Sequence, residues 1–324
     1  MNYLKYFYDK KIYCICDSDL DGVGSRVIAE YFLKPISDIK IINYSDRDFK
    51  ELEDDIYLHD IVIFVDIAPT VDMYESLIAE GKEVFIFDHH QTSYEELEKC
   101  NINELHYVYD IKRSGCKILF DSLTIRKRTK PVVRHFVNLV NTYDTWDKES
   151  DLFNEAKSMK NLLYTYKIFS ESVSETTSYD LFVRKILNKF KYNTDWFLNQ
   201  FEQSSLKEKK KMENERYKDA KKSLRIDTDS LGNKFIYIEV QSYISEVSNR
   251  LLEEYIDSGV KYCIARNTFH KAVKDRKLSI RSIDYDVRPI AEKWGGGGHE
   301  NASGIAMESE DDYKNLISGN LVLA

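Results

Sequence analysis

Four short runs of β-branched and aromatic residues, three of them ending on aspartate, constrain this chain more than any other feature. IYCIC at 12–16, IKIINY at 39–44, IVIFV at 61–65 and VFIF at 84–87 are continuous apolar runs rather than alternating ones. A strand that is apolar at every position must be covered on both faces, which is how the strands of a parallel sheet read. Amphipathic stretches at 22–34 and 71–80 have the length that crossover helices need. The expected class is α/β. From 114 to 165 the pattern is helical, with Pro131 suited to the first turn of a helix over 131–143.

Beyond this first domain, placed at 1–165, the segment 178–223 contains neither Gly nor Pro and is lysine-rich around KEKKKMENERYKDAKK. It reads as a linking helix within a connecting region at 166–224. Its interleaved acidic residues make the charge run a solvated helical face rather than a nucleic-acid patch. Strand patterns at 235–240, 260–265 and 277–283, with a helix at 245–257, predict a second, smaller α/β domain over 225–324. Two domains suit a chain of 324 residues.

The formal charge of −8 excludes a global basic field for long duplex nucleic acid. The 5 cysteines form no CxxC pair, so neither a disulfide framework nor a zinc knuckle is expected, and a reducing cytoplasm fits. MNYLKYFYDKK lacks the apolar core of a signal peptide and IVIFV falls far short of a membrane span, so no membrane association is expected.

The carboxylates carry the chemistry. Asp17, Asp19 and Asp21 follow the first strand, Asp66 the third, Asp88-His89-His90 the fourth, and Asp144 the helix at 131–143. Open α/β sheets place their sites at this carboxyl edge. Each aspartate alone would be read as a helix cap or an Asx-turn. Three within five residues, together with an Asp-His-His triplet, repel one another unless a cation neutralises them. Oxygen and imidazole donors suit Mn²⁺ or Mg²⁺, with enough ligands for two ions, and the implied reaction is hydrolysis of a phosphate ester. Gly22-Val23-Gly24 lacks the third glycine of a dinucleotide fingerprint, and Ser25 sits in no nucleophile elbow. Cys14 and Cys16 read as core, and His59, His106, His135 and His270 as structural. Trp146 is suited equally to lining a cleft and to core packing.

In order, CDSDLDGVGS, VDIAP, DHH and YDTWD resemble the four motifs of the DHH phosphoesterases. GGGGHENASG, preceded by LSIRS, resembles the signature of the subgroup that carries a DHHA1 domain. The motifs run from Asp17 to Gly304. The resemblance implies a parallel-sheet DHH catalytic domain, a helical linker and a DHHA1 substrate-binding domain. It makes Asp19 and Asp21 metal ligands and Asp66 the carboxylate shared by two ions. His89 and Asp144 join the ligand set, Asp88 orients His89, and His90 faces the scissile phosphate. Many members carry a His where this chain has Ile15, and Asp17 is the substitute ligand. Arg281, Ser282, Gly296, Gly297, Gly298, His299 and Asn301 fall in the segment that holds the nucleotide end of the substrate.

DLDGVGS and YDTW look most like the oligoribonuclease branch, which removes mononucleotides from very short RNA. The expected cofactors are two divalent ions, Mn²⁺ first, with Mg²⁺ or Co²⁺ as alternatives. The expected partners are short single-stranded oligonucleotides, RNA favoured, with a homodimer left open. The alternatives are a RecJ-like single-strand DNA exonuclease, for which there is no room for a further OB-fold, a cyclic-dinucleotide or 3′,5′-bisphosphate nucleotide phosphatase, and a catalytically silent nucleotide-binding protein.

Overall fold

The computed structural model describes residues 1–33, 38–42, 54–125, 128–171, 179–194, 198–268 and 277–306. The chain divides into two compact units, Met1–Leu206 and Lys207–Ala324. In the first, a short helix α1 (Tyr3–Tyr6) precedes β1 (Ile12–Asp17), α2 (Leu20–Phe32), β2 (Asp38–Ile42), β3 (Ile61–Val65), α3 (Val71–Ala79), β4 (Glu83–Asp88), α4 (Gln91–Leu97) and β5 (Tyr107–Tyr109). Helices α5 (Gly115–Thr124), α6 (Pro131–Asp144), α7 (Phe153–Glu171) and α8 (Asp180–Tyr192) follow, and α9 (Gln200–Ser223) begins in the first unit and continues into the second.

All five strands of the first unit run parallel, in the order β2-β1-β3-β4-β5. Their apolar runs alternate between two buried faces. Cys14, Cys16, Ile63, Val65, Phe85 and Phe87 pack with α2, α5 and α6, whereas Tyr13, Ile15, Val62, Phe64, Val84 and Ile86 pack with Leu77 and Leu97. This double coverage is why the strands read as continuous rather than alternating. From β1 the chain goes to β2 on one side and returns to β3 on the other, so the order reverses between β1 and β3. A crevice opens at the carboxyl ends of strands at such a point. Register holds those ends level, with Cys16 beside Val65 and Val65 beside Phe87.

The segment expected as one linking helix is two, and the first belongs to the first unit. α8 buries Phe182, Val183, Ile186 and Phe190 in the main core of the first unit. It stops at Asn193, whose left-handed backbone (φ 51°) ends the helix as glycine usually does. α9 begins with a reciprocal cap: Asn199 N donates to Glu202 (2.8 Å), and Glu202 N donates to Asn199 (2.9 Å).

The second unit is a mixed six-stranded sheet, ordered β10-β11-β9-β8-β7-β6, from β6 (Arg225–Thr228), β7 (Lys234–Val240), β8 (Val260–Asn267), β9 (Lys277–Ser282), β10 (Gly297–His299) and β11 (Ala302–Ala306). Only the β7–β8 pair is parallel. Helices α10 (Ile244–Tyr255) and α11 (Arg288–Lys293) complete it, α10 packing Val247, Leu251 and Leu252 on Ile236, Ile238 and Cys263. The six-stranded sheet extends the three strands expected here by the short β6, β10 and β11. No described helix is long and apolar enough to cross a membrane.

Candidate metal centre

Each acidic motif ends where the local backbone forces a turn. Asp19 caps α2, its Oδ1 accepting from Asp21 N (2.8 Å) and Gly22 N (3.1 Å). The next residue in that turn must be Gly22, because a Cβ there would lie 2.1 Å from the Asp17 carbonyl oxygen. Asp66 leaves β3 in the left-handed region (φ 60°), its N–H donating to Phe87 O (3.0 Å). That conformation is uncommon for a residue with a side chain, and such outliers concentrate at functional sites.

The turn at Asp66 is held by α5. Gly115, the first residue of α5, sits so close that a Cβ would come within 2.8 Å of Asp66 Cα. Asp21 in turn fixes the start of α5, accepting Gly115 N (2.6 Å) on Oδ2 and Cys116 N (2.9 Å) on Oδ1. The negative carboxylate meets the positive end of a helix, and each oxygen keeps a lone pair. Asn141 on α6 accepts Ser114 N (3.0 Å), tying α5 to the helix that carries Asp144. Gly115, Ser114 and Asn141 escaped the sequence reading. Ser114 was detectable as an N-cap ahead of an apolar helical run.

His89 is the hub. Its Nε2 lies 3.2 Å from Asp66 Oδ1 and 3.9 Å from Asp21 Oδ2, and its Nδ1 lies 3.5 Å from Asp144 Oδ2. Asp88, expected to orient His89, holds the ring of His90 instead. Asp88 Oδ1 and His90 Nδ1 are 2.7 Å apart, and the same oxygen accepts the backbone N–H of His89 (2.8 Å) and His90 (3.3 Å). The reason is local: with Asp88 at the strand end and His90 capping α4, the i to i+2 contact closes a tight turn, while the His89 ring points to Asp66.

Burial, compounded by like charge, dominates the electrostatics. Burial and then Asp19 push Asp17 up to about 7; burial and then Asp144 push Asp21 up to about 7; burial and then Asp19 push Asp144 up to about 8. Asp66, buried among Asp21, Asp19 and Asp144, is raised well above the ordinary carboxyl range. Burial alone would raise Asp88 and lower His90, but their mutual charge and hydrogen bond prevail, holding Asp88 low and lifting His90 to about 9. Burial and then the charge of His90 lower His89. A set of acids that resists ionising together, beside a neutral imidazole, is the condition in which a cation is most stabilising.

The donor set fits such an ion. Asp66, Asp88, His89 and His90 form one group whose ligand atoms lie within 4.8 Å of one another, and Asp21, His89 and Asp144 form a second that shares His89. Asp88 Oδ2 and Asp144 Oδ2 are buried without a hydrogen-bond donor among the described residues. Asp17 and Asp19 lie outside both groups. Their carboxylates face backbone N–H groups, Asp17 that of Ser18 and Asp19 those of the α2 cap. Their charges nevertheless act on Asp66.

The residues expected to hold a nucleotide lie together in the second unit, with two corrections. Ser282 is buried and donates its hydroxyl to Tyr285 O, while its N–H donates to Asn301 O (3.1 Å); it pins a turn rather than facing a ligand. The glycine run serves its own sheet. A Cβ on Gly296 would meet Gly304 O at 2.0 Å, and one on Gly298 (φ 140°) would meet Ala302 O at 2.5 Å, so close strand approach, not a phosphate, demands glycine there. Gly297 pairs with Gly304 and His299 with Ala302. Arg281 is half-buried on β9, with Nη2 on Ser245 Oγ (3.1 Å) and Nη1 on Ile280 O (3.0 Å), and Asn301 is exposed. His270 lies outside the described residues. His135, expected to be structural, pairs with Glu155 (2.9 Å).

The chain is 28% identical over 308 residues to oligoribonuclease NrnB of Bacillus subtilis, covering 90% of this chain and 72% of that protein. Its fold is similar to RecJ in complex with Mn²⁺ from Thermus thermophilus (TM-score 0.56, 16% identity, 98% of this chain and 52% of that one). It is also similar to a pGpG-specific phosphodiesterase from Vibrio cholerae (TM-score 0.54, 12% identity, 96% and 99%). Residues 11–158 match the DHH family, N-terminal domain, a stretch that spans every acidic motif described above.

Proposed function

We propose that this protein is a metal-dependent phosphodiesterase that hydrolyses short oligonucleotides, RNA before DNA, to 5′-mononucleotides. The observation that carries this reading is the pair of carboxylate–imidazole groups, buried except for the half-buried His90 and Asp144, that share His89 at the carboxyl edge of the parallel sheet. Asp66, His89, Asp21 and Asp144, supplemented by Asp17 and Asp19, would hold two divalent ions, Mn²⁺ foremost. Such ions supply a hydroxide nucleophile at neutral pH and neutralise charge on the phosphate oxygens.

The chain's own residues do the rest. Asp88 holds His90 by its Nδ1 and pushes its pKa up, so His90 would act as a general acid that gives its Nε2 proton to the departing oxygen. Asp21 keeps α5, and through Gly115 the Asp66 turn, in place. In the second unit, a DHHA1-type substrate domain, Arg281, His299 and Asn301 would take the nucleotide end. The similarity to an oligoribonuclease at 28% identity supports RNA as the substrate.

Matched RNA and DNA of two to twenty nucleotides, labelled at either end, test this directly in Mn²⁺. Di- to pentaribonucleotides should disappear first, leaving 5′-monophosphates. Asp66→Asn should lower kcat by more than about 1,000-fold, or about 4 kcal/mol. Faster cleavage of long DNA, or a variant within tenfold of the parent, contradicts the reading.

A further inference from the structure

α6 ends on a tryptophan where the backbone calls for glycine. Asp147 N donates to Thr142 O (3.0 Å) and Trp146 N to Tyr143 O (3.2 Å), the Schellman pair that places Trp146 in the left-handed region (φ 54°). The same turn closes α3 on Gly81 (φ 74°), with Lys82 N on Leu77 O at 3.0 Å. It closes α11 on Gly295 (φ 70°), with Gly296 N on Ala291 O at 2.8 Å. A side chain in that conformation is less stable than glycine.

The ring adds a second penalty. Trp146 Nε1 is buried with no hydrogen-bond partner among the described residues, and an unsatisfied donor of this kind is destabilising. Core burial is not the compensation, because Trp146 remains half-buried. Tyr143 and Phe153 meet it edge-on, with centroids at 5.4 and 5.3 Å and ring planes at 68° and 84°. Glycine at 146 would remove the first penalty and phenylalanine the second, so folding by itself does not select tryptophan here.

What distinguishes the position is its neighbour. Asp144, two residues earlier, reaches His89. Lys148 Nζ, two residues later, lies 5.6 Å from the Trp146 ring centroid and brings positive charge to it. We propose that Trp146 is a specificity-determining residue that stacks on a nucleobase of the substrate beside Asp144. This rests on the function proposed above. Because every base offers a π-face, the stack selects nucleotides over other phosphodiesters without selecting among the four bases.

The test compares the dinucleotide pApA with the corresponding abasic ribose phosphate dimer, by equilibrium binding in Ca²⁺ and by hydrolysis in Mn²⁺. Trp146→Ala should weaken pApA binding about 10- to 100-fold, the range of one base–aromatic stack, and abasic dimer binding less than about threefold. Trp146→Phe should recover pApA to within about fivefold of the parent. Trp146→Gly, relieved of left-handed strain, should melt within a few degrees of the parent and still show the selective loss. Equal losses on both ligands, or no loss on pApA, overturn the stacking role while the parent still cleaves. A parent that neither binds nor cleaves pApA overturns the proposed function, and this inference with it.

Discussion

Gly115 and Asp66 are in backbone contact across the site, and nothing between them is flexible. A methyl group at 115 would press on Asp66 N, Cα and Cβ, all within 2.8 Å, so the left-handed turn at Asp66 has to move. Gly115→Ala should therefore reduce Mn²⁺-dependent turnover by at least about 100-fold, since misplacing a reacting group by about 1 Å has that effect. Turnover within tenfold, measured at saturating Mn²⁺, would mean the turn tolerates displacement. The aspartates of the centre are legible in the sequence because acidic clusters directly after buried strands have few alternative uses. Their individual contacts are not. That Asp88 turns to His90, that Asp21 holds the start of α5, and that Gly115 touches Asp66 depend on which elements meet, which no local pattern records. The glycine run misled for the same reason: the sequence displays backbone freedom but not what approaches the backbone.

Among the elements, α7, α8 and α9 are joined through one buried carboxylate. Glu202 accepts from Tyr166 Oη (2.6 Å), from Lys185 and from Asn199 N while fully buried. Removing it strands Lys185, whose side chain is only 17% exposed. Glu202→Ala should lower the unfolding free energy by about 3 kcal/mol, as breaking a buried pair does, without changing Mn²⁺ affinity. Urea denaturation beside a Mn²⁺ titration checks both halves, and a parallel loss of metal affinity would tie these helices to the centre. The long parallel strands were readable because coverage on both faces leaves an unbroken apolar run. The three-residue β5 and β10 were not, since so few positions carry no period. The helix break at Asn193 was hidden because Asn does there what Gly or Pro would have announced.

For the whole molecule, clustering the acids makes the metal-free fold sensitive to pH. Asp17, Asp21 and Asp144 ionise near 7 to 8 when folded, from an ordinary value of 3.8, so the folded state holds more protons than the unfolded one across that window. Stability of the metal-free protein therefore falls as pH rises from about 4 to 8. His90, raised from 6.5 to about 9, extends the fall, and His89, lowered from 6.5, opposes it only near that value. Divalent cations reverse the trend by binding the ionised acids.

The most direct measurement is the melting temperature at pH 5 and pH 8, with and without Mn²⁺, for the parent chain and for Asp66→Asn. The metal-free parent should melt lower at pH 8 than at pH 5. Mn²⁺ at about 100 times its dissociation constant should raise the pH 8 value by roughly 5–10 °C, equivalent to about 2.7 kcal/mol, with a much smaller rise at pH 5 or in the variant. A melting temperature indifferent to Mn²⁺ at pH 8, or an equal rise in Asp66→Asn, would contradict a metal centre built on these carboxylates.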